Sequence, residues 1–196
     1  LAGRAELPPA DMKALVTWMT TPGQRVRFAH PGMGTLGHMS TVVLARSAKA
    51  EIDAISYRGI APALNDLVGG HMPFAISTLT DAIPQHRAGN IRVLAVGSAQ
   101  RSPFLPEAPT LKESGVDLVA DAWYGMWLPA GASSDFAKKL SEAAAAALAK
   151  PEVKEKLLAI GLIPVGSTPE GLTQELAANT ALWQPIVKAT GYKITN

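Results

Sequence analysis

Apolar residues along the chain alternate between two spacings. Met12, Leu15, Val16 and Met19 recur at three- and four-residue intervals, the period of a helix with one buried face. Pro22-Gly23 stops that pattern. Arg25 to Ala29 then reads as a strand, the turn Pro31-Gly32-Met33-Gly34-Thr35 follows, and a second helix is expected over Leu36 to Ala48. The unit repeats with a strand at Ile52 to Tyr57, a helix at Ala61 to Val68 and a stop at Gly69-Gly70. A strand at Met72 to Ser77, a short helix at Asp81 to Arg87 and a strongly apolar strand at Ile91 to Val96 complete it. Strands alternating with helices of this length predict an α/β fold, a parallel sheet with flanking helices on both faces.

The pattern changes beyond the proline-rich loop Pro103 to Pro109 and a short turn at Leu111 to Ser114. Ala122 to Leu128 is apolar and aromatic enough for one more strand. Helices are then expected over Ser134 to Ala149, capped by Ser133 or Ser134, from Pro151 to Gly161, and from Thr168 to about Thr190. This end is mostly helical and lacks strands for a sheet of its own. It reads as part of a second, incomplete lobe with an exposed apolar face. The boundary falls near Asp121, giving 1–121 as the α/β domain and 122–196 as a helical portion.

Composition narrows the function. Hydrophobic residues make up 47% and charged residues 17%, which is globular rather than disordered. Net charge is +2 with no cationic block beyond Lys138-Lys139, so no nucleic-acid surface is expected. The chain has no cysteine, which excludes thiol catalysis, cysteine metal sites and disulfides. His30, His38, His71 and His86 show no metal-ligand spacing, so no metal is expected. No apolar run reaches the roughly 18 residues of a membrane span. The start, Leu1-Ala2-Gly3-Arg4-Ala5-Glu6, lacks the charged-then-apolar order of a signal peptide and an initiator Met, and is expected to be processed or truncated.

The turn Gly32-Met33-Gly34-Thr35-Leu36-Gly37 matches G-x-G-x-x-G between a strand and a helix. Glycines let a backbone approach an anion, and the unpaired N–H groups of a helix start point at it. Three readings stay open: a dinucleotide loop, a carboxylate-binding turn, and a plain strand–helix connection. A dinucleotide site needs an acid at the C-terminal end of the next strand. Glu51 and Asp53 stand at its beginning and Tyr57 at its end. The sequence offers no G-x-S-x-G, paired-carboxylate or Walker motif, and Ser40 and His38 do not share a helix face. No catalytic residue and no cofactor are expected.

Five segments in order resemble the tripartite tricarboxylate transporter solute-binding proteins, the Bug/TctC family. The turn carrying Gly32, Gly34, Thr35 and His38 resembles G-x-G-S-x-x-H, with Thr35 for the usual Ser. Tyr57-Arg58-Gly59 through Gly69-Gly70 resembles Y-[KR]-G-x-x-P-A-L-x-D-L-x-G-G, and Gly89 to Val96 resembles G-x-[IV]-[RK]-x-L-A-V. Pro106 to Gly115 resembles P-x-x-P-T-x-x-E-x-G, and Trp123 to Gly131 resembles W-x-G-x-x-x-P-A-G. The resemblance implies a periplasmic-binding-protein-like fold and a periplasmic receptor that captures a small carboxylate, a di- or tricarboxylate or related organic acid. It implies permease subunits of a tripartite tricarboxylate transporter as partners, and no chemistry on the ligand. By the same resemblance residues 1–121 are the second lobe, 122–196 return to the first, and the N-terminal part of the first lobe is missing. Where the family has acidic residues around the strand after Gly69-Gly70, this chain has Pro73 and Ser77-Thr78. That argues against a ligand bearing an amino group.

The candidate ligand-binding residues are Gly32, Gly34, Thr35, His38, Tyr57, Gly59, Ser77 and Thr78. Each has a structural counterpart reading. Thr35 is a ligand contact or a helix N-cap; His38 a ligand partner or a buried tie for a neighbouring loop. Tyr57 is a ligand contact or core packing; Gly59 an N–H donor or a turn glycine. Ser77 and Thr78 line the same crevice or merely follow their strand. Asp121 and Trp123 are read as hinge, cleft lining or packing. Trp18, Trp183 and the run Ala143 to Ala147 are read as packing. An NAD(P)-binding Rossmann-like oxidoreductase domain using Gly32 to Gly37 is the alternative.

Overall fold

A computed structural model describes residues 1–6, 9–23 and 25–193. The described residues form two compact units, 1–122 with 190–193, and 123–189. The sequence keeps all of 122–196 together; here 190–193 lie with the first unit, and 194–196 fall outside the described residues.

In the first unit the order is β1 (Ala2–Arg4), α1 (Met12–Met19), β2 (Val26–His30), α2 (Leu36–Ala48), β3 (Ile52–Ser56), α3 (Ile60–Val68), β4 (Phe74–Ala75), α4 (Leu79–Arg87) and β5 (Ile91–Val93). They build a five-stranded sheet in the order β3-β2-β4-β1-β5. β2 runs parallel to β3 and β4, whereas β1 pairs antiparallel with β4 and β5. The sheet is therefore mixed, mostly parallel, with its antiparallel strand inside.

β1 falls in a segment the sequence treats as a bare start. Ala-Gly-Arg is too short to show an alternation, yet Ala2 pairs with both Ala75 and Val93. The Leu1 ammonium is partly buried and donates to Ala95 O at 3.0 Å, and burial lowers its pKa to about 6. Gly3 lies opposite Phe74, and a Cβ there would stand 3.0 Å from the Phe74 ring. The core gathers at this point. Phe28 stacks on Phe74 at 5.2 Å, Trp18 meets Phe74 edge-on at 5.7 Å, and α1 buries Met12, Leu15 and Met19 beneath an Asp11 cap.

Three strands are shorter than expected, β3 by the single residue Tyr57. Met72 to Ser77 contributes only Phe74–Ala75, and Ile91 to Val96 only Ile91–Val93, with Val96 in an isolated bridge to Thr110. The proline-rich loop is closed by a reciprocal cap. Thr110 N–H donates to Glu113 Oε2 at 2.7 Å and Glu113 N–H to Thr110 Oγ1 at 3.0 Å. Arg101 Nε lies 3.0 Å from Glu113 Oε1. The Thr110 N–H, then Arg101, hold this carboxyl below its ordinary pKa.

The second unit contains α5 (Ser134–Leu148), α6 (Pro151–Ala159) and most of α7 (Pro169–Thr190). Local signals start each helix: Ser133 accepts from Phe136 N–H, Pro151 occupies the first turn, and Thr168 accepts from Gly171 N–H. None of the three buries a residue. The strand expected at Ala122 to Leu128 does not form among the described residues. A β-ladder needs a second backbone, and none pairs with this segment. No helix of the described residues is long and apolar enough to cross a membrane.

Candidate anion-binding edge

Three parallel strands end side by side. His30 of β2 stands opposite Ser56 of β3, and Ala29 opposite Ala75 of β4. Each strand then leads into a helix, α2 after Thr35, α3 after Gly59 and α4 after Thr78. The carboxyl edge of an open α/β sheet is where such folds take ligands, and here it carries three helix N-termini. The connecting loops touch. Gly59 N–H donates to Pro31 O and Tyr57 N–H to His30 O, both at 3.0 Å. A Cβ on Gly37 would lie 3.3 Å from Ile76 O. Gly32, Gly34, Thr35, His38, Tyr57, Gly59, Ser77 and Thr78 are thus all brought to one edge or its immediate support.

The turn itself is largely satisfied from within. Thr35 caps α2, accepting from His38 N–H at 3.4 Å, while its hydroxyl donates to Gly32 O at 2.6 Å. Gly34 N–H donates to His38 Nδ1 at 3.2 Å, and Thr35 N–H to Gly32 O at 3.4 Å. His30 Nδ1 sits 3.0 Å from Gly32 O and 3.4 Å from Gly32 N. Of the amides from Gly32 to His38, those of Gly32, Gly34, Thr35 and His38 are therefore already taken by the turn itself. A capped helix start uses its own side chains on its orphan donors. Among the described residues, the amides of Met33, Leu36 and Gly37 retain no acceptor, nor do Ile60 and Ala61 of α3 or Leu79 and Thr80 of α4.

The side chains divide accordingly. His38 accepts at Nδ1, so its proton is assigned to Nε2, which has no acceptor among the described residues. Burial lowers the pKa of both His30 and His38, whose rings are 5.0 Å apart. Tyr57 donates to Asp66 Oδ2 at 2.6 Å; burial and then this bond push its pKa up to about 12. Its hydroxyl proton is thereby directed into α3. The Thr78 hydroxyl engages Thr80 and Asp81, and the Ser77 hydroxyl carries no bond among the described residues. α2 and α3 have no acid in their first turn, and exposed Arg58 adds a cation between β3 and α3.

Other features lie away from this edge. Glu51 and Asp53 pair with Arg25 at 3.6 and 3.7 Å, at the opposite end of β2 and β3. Concave surfaces occur beside α1, lined by Asp11, Lys13 and Trp18, and in the second unit by Ala145, Leu148 and Val165. Neither collects donors as the edge does. No cluster of three His, Asp or Glu suited to a metal occurs among the described residues. Sequence reasoning overlooked Thr80 and Tyr192. Tyr192 reaches the turn from the far end of the chain and has no local signal.

The fold is that of the periplasmic binding proteins. A Rhodopseudomonas palustris protein, Rpa4515 with adipate, superimposes with a TM-score of 0.87 at 30% identity, over 97% of this chain and 64% of its own. MatC from the same organism, with bound malate, gives 0.82 at 26% identity, over 95% and 65%. The profile of the tripartite tricarboxylate transporter family receptor matches residues 1–192, and the chain belongs to that family. Protein BugT of Bordetella pertussis is 32% identical over 174 residues, 88% of this chain and 53% of BugT. The chain spans about half the length of the curated relatives it matches. The family is one of solute-binding receptors, not enzymes.

Proposed function

We propose that this chain supplies the carboxylate-gripping part of a periplasmic receptor that captures a small di- or tricarboxylate for the permease subunits of a tripartite tricarboxylate transporter. The observation that carries the reading is the single sheet edge on which α2, α3 and α4 all begin with unpaired amides. Each N-terminus presents roughly half a positive charge and stabilises a nearby anion by about 0.3–1 kcal/mol. The ligand carboxylate accepts from Leu36 and Gly37 N–H and from His38 Nε2–H, with the Ser77 hydroxyl beside them. Thr35 shapes the turn as its cap, Thr78 starts α4, and Gly32, Gly34 and Gly59 keep the backbone accessible. Tyr57 supports α3 through Asp66. Residues 1–121 act as one lobe, and 122–196 as a portion returning to the other. A ligand bridging both lobes favours the closed receptor.

Adipate and malate in the two solved relatives fit a site of this charge. α2 and α3 carry no acid in their first turns, so the part of the edge they form favours plain carboxylates, while Asp81 places the one first-turn acid on α4. A dinucleotide is disfavoured because Tyr57 directly follows β3, where the acid would stand, while Glu51 and Asp53 are held by Arg25 at its start.

Leu36→Pro tests the site. Thr35 is extended (φ −75°, ψ 165°), which suits a residue before proline, and the first helical position tolerates proline. The change deletes one amide of the edge and leaves α2 intact. Calorimetry on the full-length protein with adipate, malate and citrate should show affinity falling about tenfold, about 1.4 kcal/mol. Unchanged affinity rejects this edge as the binding site.

A further inference from the structure

Gly34 has a left-handed backbone at φ 76°, and a Cβ built on it would lie 2.6 to 2.7 Å from Cε1, Cζ and Oη of Tyr192. The space a side chain would take is filled by an aromatic ring from the other end of the chain. The same ring meets His38 edge-on, with centroids 6.0 Å apart and planes at 70°. His38 in turn holds the Gly34 amide through Nδ1. The Tyr192 hydroxyl donates to Met33 O at 3.5 Å. The tail is shaped for this placement by Gly191, left-handed at φ 68°, and by Tyr192 N–H donating to Thr190 Oγ1 at 3.1 Å.

From this geometry we infer that Tyr192 is a positioning residue for the carboxylate turn: its ring fills the space over Gly34 and braces His38. The open amides of Met33, Leu36 and Gly37 and the Nε2–H of His38 are thereby set before a ligand arrives. The inference rests on the binding edge proposed above. A turn with glycines at 32, 34 and 37 has wide backbone freedom, and binding is weakened whenever that freedom must be removed by the ligand. The ring removes it in advance. The hydroxyl bond is at the outer limit of hydrogen-bond length, so the ring carries the effect.

The test compares full-length wild type, Tyr192→Ala, Tyr192→Phe and Leu36→Pro, with adipate and malate as probes in calorimetry. Chemical shifts of the Gly34 amide and the His38 ring are recorded without ligand. Tyr192→Ala should weaken binding about tenfold and Tyr192→Phe by less than about twofold. Tyr192→Ala should also move the Gly34 and His38 signals and raise the His38 pKa by exposing its ring. Gly34→Ala should lose more affinity in the wild type, where its methyl meets the ring, than in Tyr192→Ala. Wild-type affinity together with unmoved signals in Tyr192→Ala overturns the inference. If Tyr192→Ala is harmless and Leu36→Pro is not, the site stands and the positioning role falls. If both bind like wild type, the edge and the role fall together. Should the wild type take up neither acid, the two ligand-free signals alone decide whether Tyr192 orders the turn, and unmoved signals overturn the inference.

Discussion

The two units hold apolar residues in opposite ways. In the first, Phe28, Phe74, Met12 and Leu15 are at most 1% exposed, packed between a sheet and its helices. In the second, Phe136, Ile163 and Val165 are 53%, 61% and 81% exposed, and no residue of α5, α6 or α7 is buried. Helices nevertheless begin and end crisply in both units. Among the described residues of a chain that spans about half the length of its curated relatives, helices form in the second unit without a core of their own. A helix satisfies its backbone internally and needs only caps and good formers. A strand needs a partner, which is why Ala122 to Leu128 remains without a ladder.

The largest break in this comparison should come from deleting a ring in each unit. Phe74→Ala removes the centre of the aromatic cluster and should destabilise the first unit by about 3–5 kcal/mol in urea unfolding followed by near-UV circular dichroism. Phe136→Ala should change it by less than about 0.5 kcal/mol. Equal effects would mean that α5 has a packed core after all.

A smaller effect concerns pH. In a chain beginning at Leu1, the partly buried amino group has a folded pKa of about 6 against 8.0 for the exposed group. A cation whose pKa is lowered by folding stabilises the fold above its unfolded value, and that stability is lost as pH falls. Between pH 8 and 6 the first unit should lose about 2 kcal/mol. One added upstream residue, which turns the amine into an amide, should abolish this slope. His30 and His38, also lowered by burial, act in the same direction at lower pH. A flat pH profile would argue against the buried placement of β1.

Helix caps give the smallest and most discriminating difference. Asp11 accepts from Ala14 N–H at 2.8 Å and caps a helix packed on the core, so Asp11→Ala should cost about 1 kcal/mol of global stability. Ser133 caps α5 in the same way, accepting from Phe136 N–H at 3.2 Å. Ser133→Ala should leave global unfolding unchanged and only speed amide exchange in the first turn of α5. A global effect at Ser133 would tie the two units into one cooperative fold.

Helices were the most legible part of the sequence. α2 runs over Leu36–Ala48 as its pattern implies, and the other helices begin and end within about two residues of expectation, because caps, prolines and glycines are local signals. Strands were less legible. β1 has three residues and no alternation, and Ala122 to Leu128 has the composition of a strand without a neighbour. The sequence named residues at the candidate edge but not their commitments. Nothing local tells that the Thr35 hydroxyl closes on Gly32 O, or that Tyr57 turns toward Asp66.

By itself the sequence determined the α/β alternation, the helix limits and the glycine turn between β2 and α2, since each depends on residues within a few positions of one another. Only the tertiary structure decided that β1 would lie antiparallel inside the sheet, which amides would stay open, and that Tyr192 would cover Gly34. Those outcomes depend on backbone pairing and steric fit between segments far apart in the chain, and no short-range pattern encodes which distant surface will arrive.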